Sequence, residues 1–554
     1  AYRNADGKEK FADGSGTVVI PETKNKIPDI LDECRYELDF MQKMRVAEDE
    51  PTWGDYAGLY YHAVKDHKWT GLAVRPWDYE SEWKTVRIVR PPTFSATLNY
   101  AACAAQAARL WAEYDADYAS QLLQSAKEAY AAYKQHLYTP DRDENVKDGS
   151  LYAPLSYGYY GERDTQINDD AYWAACELYI SAKALEDSAA ADYLKDLSES
   201  AYAFDVPTKV SGGDNKSGEG SYTCFNMGNP AAAGSLSLAL HRDLISAEQT
   251  KKLEDAIRKT ADEYIKTEAA QGYGIPYEND SYCYCDGASP FDYNPIGFEY
   301  GSNAMSVYNM IAMAYAYDLT DDAKYMNGIS TGMDYLLGNN PMAFSYVTGY
   351  GRYGVEKPVH RYWCHELDKT LPKAPDGILV GGPDASTMDE YMRAIGFVQN
   401  EYDNKSERCY ADSVEAWASN GIALQWNAPF AWIVSFLQDE VPDMPVPVTA
   451  TDPAETTEPP VQTTAPGSMT ETPSNVSKWG DITCDNSLDV ADAVLLARFL
   501  TQDAEAAITD QGILNANVVS GPLDSDDITA LLLCIAKQIQ YEQFPLAKLP
   551  AVRG

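Results

Sequence analysis

Between Val441 and Ser477 the chain is written mostly in Pro, Thr, Glu and Ala, with Pro459-Pro460 and Thr463-Thr464 at its centre and few large apolar residues. Such a stretch cannot bury enough surface to fold, so it reads as an extended, O-glycosylatable linker. Whatever folds must do so on either side of it. The expectation is a large domain over 1–440, the linker over 441–477 and a small domain over 478–545.

Composition limits what these parts can do. The formal charge is 44 − 84 = −40. A surface this acidic repels phosphate backbones and argues against a nucleic-acid partner; it suits a neutral substrate and calcium. Hydrophobic residues make up 45% of the chain, enough for a sizeable core. No apolar run approaches the roughly 18 residues that a membrane span needs, so no membrane partner is expected. Ten cysteines are scattered. Cys283 and Cys285 are the close pair, and Cys-Tyr-Cys is not a zinc signature; small buried thiols, with room for one disulfide, are the expectation. The chain begins at Ala1 without a signal peptide and reads as a processed or truncated product, so export is inferred from the domains.

The first 440 residues read as helix after helix. Ile27-Pro28-Asp29 opens one whose apolar positions Ile30, Leu31, Cys34, Leu38 and Met41 share a stripe. Further helices are expected near 96–114, 117–137, 169–184, 229–242, 246–268, 301–318, 321–336 and 418–437, with shorter ones near 190–204 and 386–399. Ser246, with Glu248 and Gln249 just inside, is a plausible start for one of them. About eleven helices result, and no strand runs of comparable length. The chain also holds 41 Tyr and 11 Trp. Aromatic faces stack on the apolar faces of pyranose rings, so the long loops at 207–228, 270–300 and 340–385 suit a glycan cleft, although most of the rings are expected to pack in the core.

Seven motifs then fall in one order: Ile27-Pro-Asp-Ile-Leu-Asp-Glu33, Arg90-Pro-Pro-Thr-Phe-Ser-Ala-Thr-Leu98, Tyr172-Trp-Ala-Ala-Cys-Glu-Leu-Tyr179, Gly301-Ser-Asn303, Ser345-Tyr-Val-Thr-Gly-Tyr-Gly351, Gly381-Gly-Pro383 and Trp426-Asn-Ala-Pro429. In this order they resemble family 9 glycoside hydrolases, in particular their cellobiohydrolase-like subgroup. The resemblance covers nearly all of residues 1–440. It implies an all-α fold, an (α/α)6 barrel whose first helix is missing here, with an open cleft for cellulose or a related β-1,4-glucan and hydrolysis with inversion.

Inversion needs two carboxyl groups roughly 6.5–9.5 Å apart, one to protonate the leaving oxygen and one to activate water. The family segment carrying the acid is similar to Tyr410-Ala-Asp412, Trp417 and Ala418-Ser419-Asn420, but the acid position holds Gly421. Asp412 matches a supporting position that holds a cleft loop or a sugar hydroxyl. In Pro358-Val359-His360-Arg361, Val359 stands where the family places a substrate-contacting His; His360 and Arg361 follow it, and with Trp417 they complete the implied substrate contacts. The family's Asp-Ala-Gly-Asp base motif occurs nowhere in the chain, which reads as N-terminal truncation. Glu415, six residues before Gly421, is a weak candidate to replace the acid and is expected at the surface.

After the linker, Trp479-Gly480-Asp481 through Asp492 has EF-hand-type spacing. Asp481, Thr483, Asp485, Asp489 and Asp492 supply oxygens at loop positions 1, 3, 5, 9 and 12, with the Ser487 backbone at position 7. Leu523-Asp524-Ser-Asp-Asp527 repeats Leu488-Asp489-Val-Ala-Asp492, 35 residues on. The pair of units resembles a dockerin of cellulolytic anaerobes. The second loop is one residue short, leaving Asn517, Asp524 and Asp527 as doubtful calcium ligands. The resemblance places the contact with a scaffoldin cohesin at Val490 and Ala491 in the first unit and Ser525 and Asp526 in the second.

The expected protein is therefore secreted and extracellular, a cellulosome subunit with calcium in its dockerin and, as an option, in its barrel. Two readings stay open: a cellulase-type module with its acid replaced, and a non-catalytic glycan-binding subunit that keeps the cleft and the dockerin.

Overall fold

A computed structural model describes residues 11–66, 71–77, 87–137, 151, 167–210, 222–278, 298–385, 387, 389–397, 406–440, 478–484, 487–488, 490–500, 508–519, 523, 525–535 and 539–548. The backbone divides into two compact units, Ala1–Met444 and Pro445–Gly554. The linker expected at 441–477 lies outside the described residues.

The first unit is built from helices: α1 (Asp29–Lys43), α2 (Phe94–Trp111), α3 (Ala116–His136), α4 (Asn168–Ala184), α5 (Ala190–Glu199), α6 (Ala231–Leu240), α7 (Ala247–Ala270), α8 (Ser302–Thr320), α9 (Ala323–Leu336), α10 (Glu390–Ala394), α11 (Trp417–Asn420) and α12 (Leu424–Glu440). Two small antiparallel pairs accompany them, β1 (Tyr60–Tyr61) with β4 (Pro92–Thr93) and β2 (Val64–Asp66) with β3 (Arg87–Val89). The all-α expectation holds. The expected helix over 418–437 is instead two helices broken at Gly421, whose backbone is extended (φ −70°, ψ 160°). The reason is non-local, because Gly421 pairs with neighbouring backbone on both sides. The expected 386–399 helix is described only over Glu390–Ala394, and the 190–204 helix ends at Glu199.

Packing sorts the helices into two kinds. α2 packs on α4 and α4 on α6, while α8 packs on α12. These carry small or apolar residues around most of their circumference. Ala101, Ala102, Ala104, Ala105 and Ala108 of α2 are fully buried, and so is nearly every residue of α8 as far as Ala314. A helix apolar all round must be enclosed by others. α3, α7 and α9 each bury one stripe and cover the inner set. α7 begins at Ser246 with a capping box completed by Gln249.

One charged group is locked into the inner helices. Arg109 of α2 and Glu177 of α4 meet at 2.6 Å, with side chains only 7% and 0% exposed. Ser181 accepts from Arg109 at 3.0 Å, and Gln106 and Ser237 donate to Glu177. A buried pair penalises loss of either partner more than its own net contribution.

The second unit has its own core, built on three described helices: α13 (Val490–Leu500), α14 (Asp510–Ala516) and α15 (Ser525–Ile535). α13 packs on α15, and Leu496 and Leu531, 35 residues apart, are both fully buried in one cluster with Ile482, Val518 and Phe544. The sequence repeat is thus also a packing repeat.

Arg109→Met should leave Glu177 charged and unpaired inside the first unit and cost about 3–5 kcal/mol. Urea unfolding of the full chain checks this, and the double variant with Glu177→Gln should regain part of the loss. An unchanged urea midpoint for the single variant would contradict the buried pair.

Candidate functional site

The residues singled out near the end of the first unit converge on one piece of backbone. Val359 and Gly421 form a parallel bridge, and the Val359 N–H donates to the Asn420 carbonyl at 2.9 Å. On the other side the Gly381 N–H donates to the Gly421 carbonyl at 3.0 Å, and the Gly382 N–H to the Ser419 carbonyl at 2.8 Å. Gly421 is buried between two strand-like segments. A Cβ there would stand 2.7 Å from the Trp417 carbonyl oxygen and 3.7 Å from the Trp426 ring. Real Cβ atoms essentially never come that close to backbone, so any side chain at 421 requires α11 to move.

Asn420, which the motif reading passed over, holds this arrangement. Its side chain is fully buried. The Oδ1 atom accepts the Tyr410 hydroxyl at 2.7 Å, and the Nδ2 group donates to the Lys357 carbonyl at 2.7 Å and to Asp412 at 3.1 Å. Asp412 in turn accepts the backbone N–H of Glu356 at 3.1 Å and of Lys357 at 2.9 Å. Of the two roles offered for Asp412, the loop-holding one is the one this geometry displays. Asp389, also passed over, is buried; it caps α10 through the Met392 N–H at 2.7 Å and accepts the Ala418 N–H of α11 at 3.3 Å. Burial pushes its carboxyl above the usual range. A signal for Asp389 was present, since Asp three residues before Met392 is an N-cap pattern; nothing local marks Asn420.

His360 holds the turn that follows it. Its Nδ1 accepts the N–H groups of Tyr362 and Trp363, both at 3.2 Å, and its ring stacks on Trp363 at 4.1 Å and 24°. Burial first, then the Arg361 charge, lowers its pKa. The ring is therefore a neutral acceptor that organises the turn. Arg361 is exposed, and its carbonyl accepts the Val74 N–H at 3.0 Å. Trp417 is half-buried beside Tyr300, and Glu415 is exposed as expected.

In the second unit Asp481 and Asp492, the first and last positions of the expected loop, are both buried, 2% and 1% exposed. Asp492 Oδ1 accepts the N–H of Ile482 at 2.8 Å, the N–H of Thr483 at 3.0 Å and the Thr483 hydroxyl at 3.1 Å. Asp527 repeats the move, accepting the Val519 N–H at 2.9 Å. Asn517 sits half-buried at the end of α14, and Ser487 is exposed. Asp485, Asp489 and Asp524 lie outside the described residues, as do the side chains of Val490, Ala491, Ser525 and Asp526. Oxygen-only donors at these positions suit a hard cation. Among the described residues, however, no three His, Cys, Asp or Glu side chains are gathered for a metal. The eight described cysteines are all free thiols, while Cys283 and Cys285 lie outside the described residues. Among the described residues no helix is long and apolar enough to cross a membrane.

The depressed His360 pKa sets a pH dependence. The unfolded chain binds this proton near pH 6.5 and the folded chain only at lower pH, so stability is complete above pH 6.5 and falls as pH drops from there toward the folded value. His62, buried beside Arg90 and lowered to about 4, has the same sign. His360→Asn keeps an acceptor for the two N–H groups but cannot titrate. Its melting temperature should therefore fall less steeply than the wild type's between pH 7.5 and 5; parallel slopes would contradict the acceptor role.

Comparison with known proteins gives these motifs a context. The family model for glycosyl hydrolase family 9 matches residues 7–434. A cellulose 1,4-beta-cellobiosidase of Acetivibrio thermocellus is 34% identical over 89% of this chain and 49% of its own length. Endoglucanase C of Cellulomonas fimi is 34% identical over 80% of this chain and 35% of its own length. The chain thus spans about half of the first relative and about a third of the second. Among solved structures, a metagenome-derived glycoside hydrolase family 9 endoglucanase superposes with a TM-score of 0.57 at 26% identity, covering 77% of this chain and 65% of that one. With the family model matched over most of its length and a helix-rich fold shared with the family's (α/α)6 barrels, the chain belongs to glycosyl hydrolase family 9.

Proposed function

We propose that this chain is a secreted, glucan-binding family 9 module with little or no hydrolytic activity, attached through its second unit to a scaffoldin cohesin. The observation that carries the loss of hydrolysis is the backbone enclosure of Gly421. At the position the family gives to its acid there is no carboxyl, and a Cβ would meet the Trp417 carbonyl at 2.7 Å. A general acid contributes about 10²–10⁴-fold. Val359 at the position of the substrate-contacting His points the same way. Two internal replacements at one site fit a binding subunit.

The substrate class, β-1,4-glucan, rests on family membership and on relatives named for cellulose and glucan. The dockerin reading rests on the loop spacing, the 35-residue repeat of Asp492 and Asp527 and the shared core of α13 and α15. Asp481, Thr483, Asp485, Asp489 and Asp492, with the Ser487 carbonyl, would hold the first calcium ion. The ion would neutralise carboxylates that otherwise repel one another across the loop.

Two measurements test these readings. Reducing-sugar release from amorphous cellulose should stay at buffer background, both for the wild type and for Gly421→Glu, because the new side chain displaces α11 and lacks its partners. Release well above background, abolished by Glu415→Gln, would overturn the loss of hydrolysis. Titration calorimetry of the full chain should show calcium binding that Asp481→Ala greatly weakens. Binding indifferent to Asp481→Ala, or no binding, would contradict the calcium loop.

A further inference from the structure

Beside the Gly421 bridge the first unit carries a small lobe with its own core. Cys364, Leu371 and Val414 are buried together, with Leu72, Ala73 and Tyr362 packed against them. The Val74 N–H bond to the Arg361 carbonyl ties the 71–77 segment to the segment that follows Val359. This lobe does not hide its aromatics. Trp77 is 68% exposed, whereas Trp111 and Trp426 are buried in the main core. Its indole is held at 5.6 Å and 68° to the Tyr362 ring, and one residue on, Trp363 lies on His360. A lone exposed ring needs no explanation, but here the exposed Trp77 is held against the half-buried Tyr362, with the half-buried Trp363 next in sequence, which offers a surface for stacking.

The position of the group identifies its occupant. Trp363 follows the bridged Val359 by four residues, so the two lie within roughly 14 Å of each other along the chain. Flat apolar faces with a polar rim, adjoining the cleft position of a glucan-binding fold, match the alternating apolar faces and equatorial hydroxyls of a β-1,4-linked glucose chain.

We infer that Trp77, mounted on Tyr362 and flanked by Trp363, is a stacking subsite for a glucosyl unit of a bound β-1,4-glucan chain, reached only by oligosaccharides that extend beyond the Val359–Gly421 position. The inference rests on the glucan-binding reading. It gives that reading a residue on which affinity for long chains depends, separate from any catalytic group.

The test is calorimetric binding of cellohexaose and of cellobiose to the full chain, in the wild type, Trp77→Ala and Trp77→Phe. Because Trp77 is largely exposed, neither variant removes core packing, and unchanged melting temperatures should verify this. Trp77→Ala should weaken cellohexaose roughly three- to tenfold and leave cellobiose unchanged, with Trp77→Phe in between. Cellohexaose bound equally by the wild type and Trp77→Ala would overturn the subsite while leaving the glucan-binding reading intact. A wild type that binds neither sugar would overturn both.

Discussion

The site region depends on the side chain of Asn420. This one carboxamide takes the Tyr410 hydroxyl and gives hydrogen bonds to Lys357 and Asp412, while its own carbonyl accepts from Val359. Three chain segments, around 357, 412 and 420, are thereby held to one another without any regular sheet. In a buried setting each of these bonds is obligatory, because an unsatisfied amide there costs about 1–3 kcal/mol. The network fixes α11, and α11 fixes where Gly421 lies. The backbone around Gly421 is therefore held without any contribution from a side chain at that position.

The rest of the first unit follows from a different constraint, the enclosure of helices that have no polar face. α2 and α8 can only be inner helices, and the Arg109–Glu177 pair joins α2 to α4 from within. The stripe-bearing α3, α7 and α9 then cover them. The segments between helices of this unit carry the exposed rings of Trp77, Tyr273, Tyr350 and Tyr353.

Much of this was legible beforehand. α1, α3, α4, α7 and α9 lie within a few residues of where periodicity placed them, and Ser246 with Gln249 marked a start that the structure confirms as a capping box. The second unit's two-fold character was visible in Asp492 and Asp527 and reappears in Leu496 and Leu531. What failed was local reasoning at the site. A helix through 418–437 is a fair reading of the apolar pattern, but the bridge to Val359 and the bond from Gly381 demand extended backbone at 421. Nothing local marked His360 as a turn acceptor, a role set by the N–H groups of Tyr362 and Trp363.

The sequence by itself determined the division into two folding units, the helical class of both, the motifs that place the first in its family and the absence of an acid at 421. These depend on composition and on spacing along one chain, which tertiary contacts do not alter. Only the tertiary structure decided that Asn420 is the hub, that Asp412 spends its oxygens on backbone amides and that Trp77 stands on Tyr362. Each of these joins residues brought together from separate segments, and hydrogen bonding and ring contact act through space rather than along the chain.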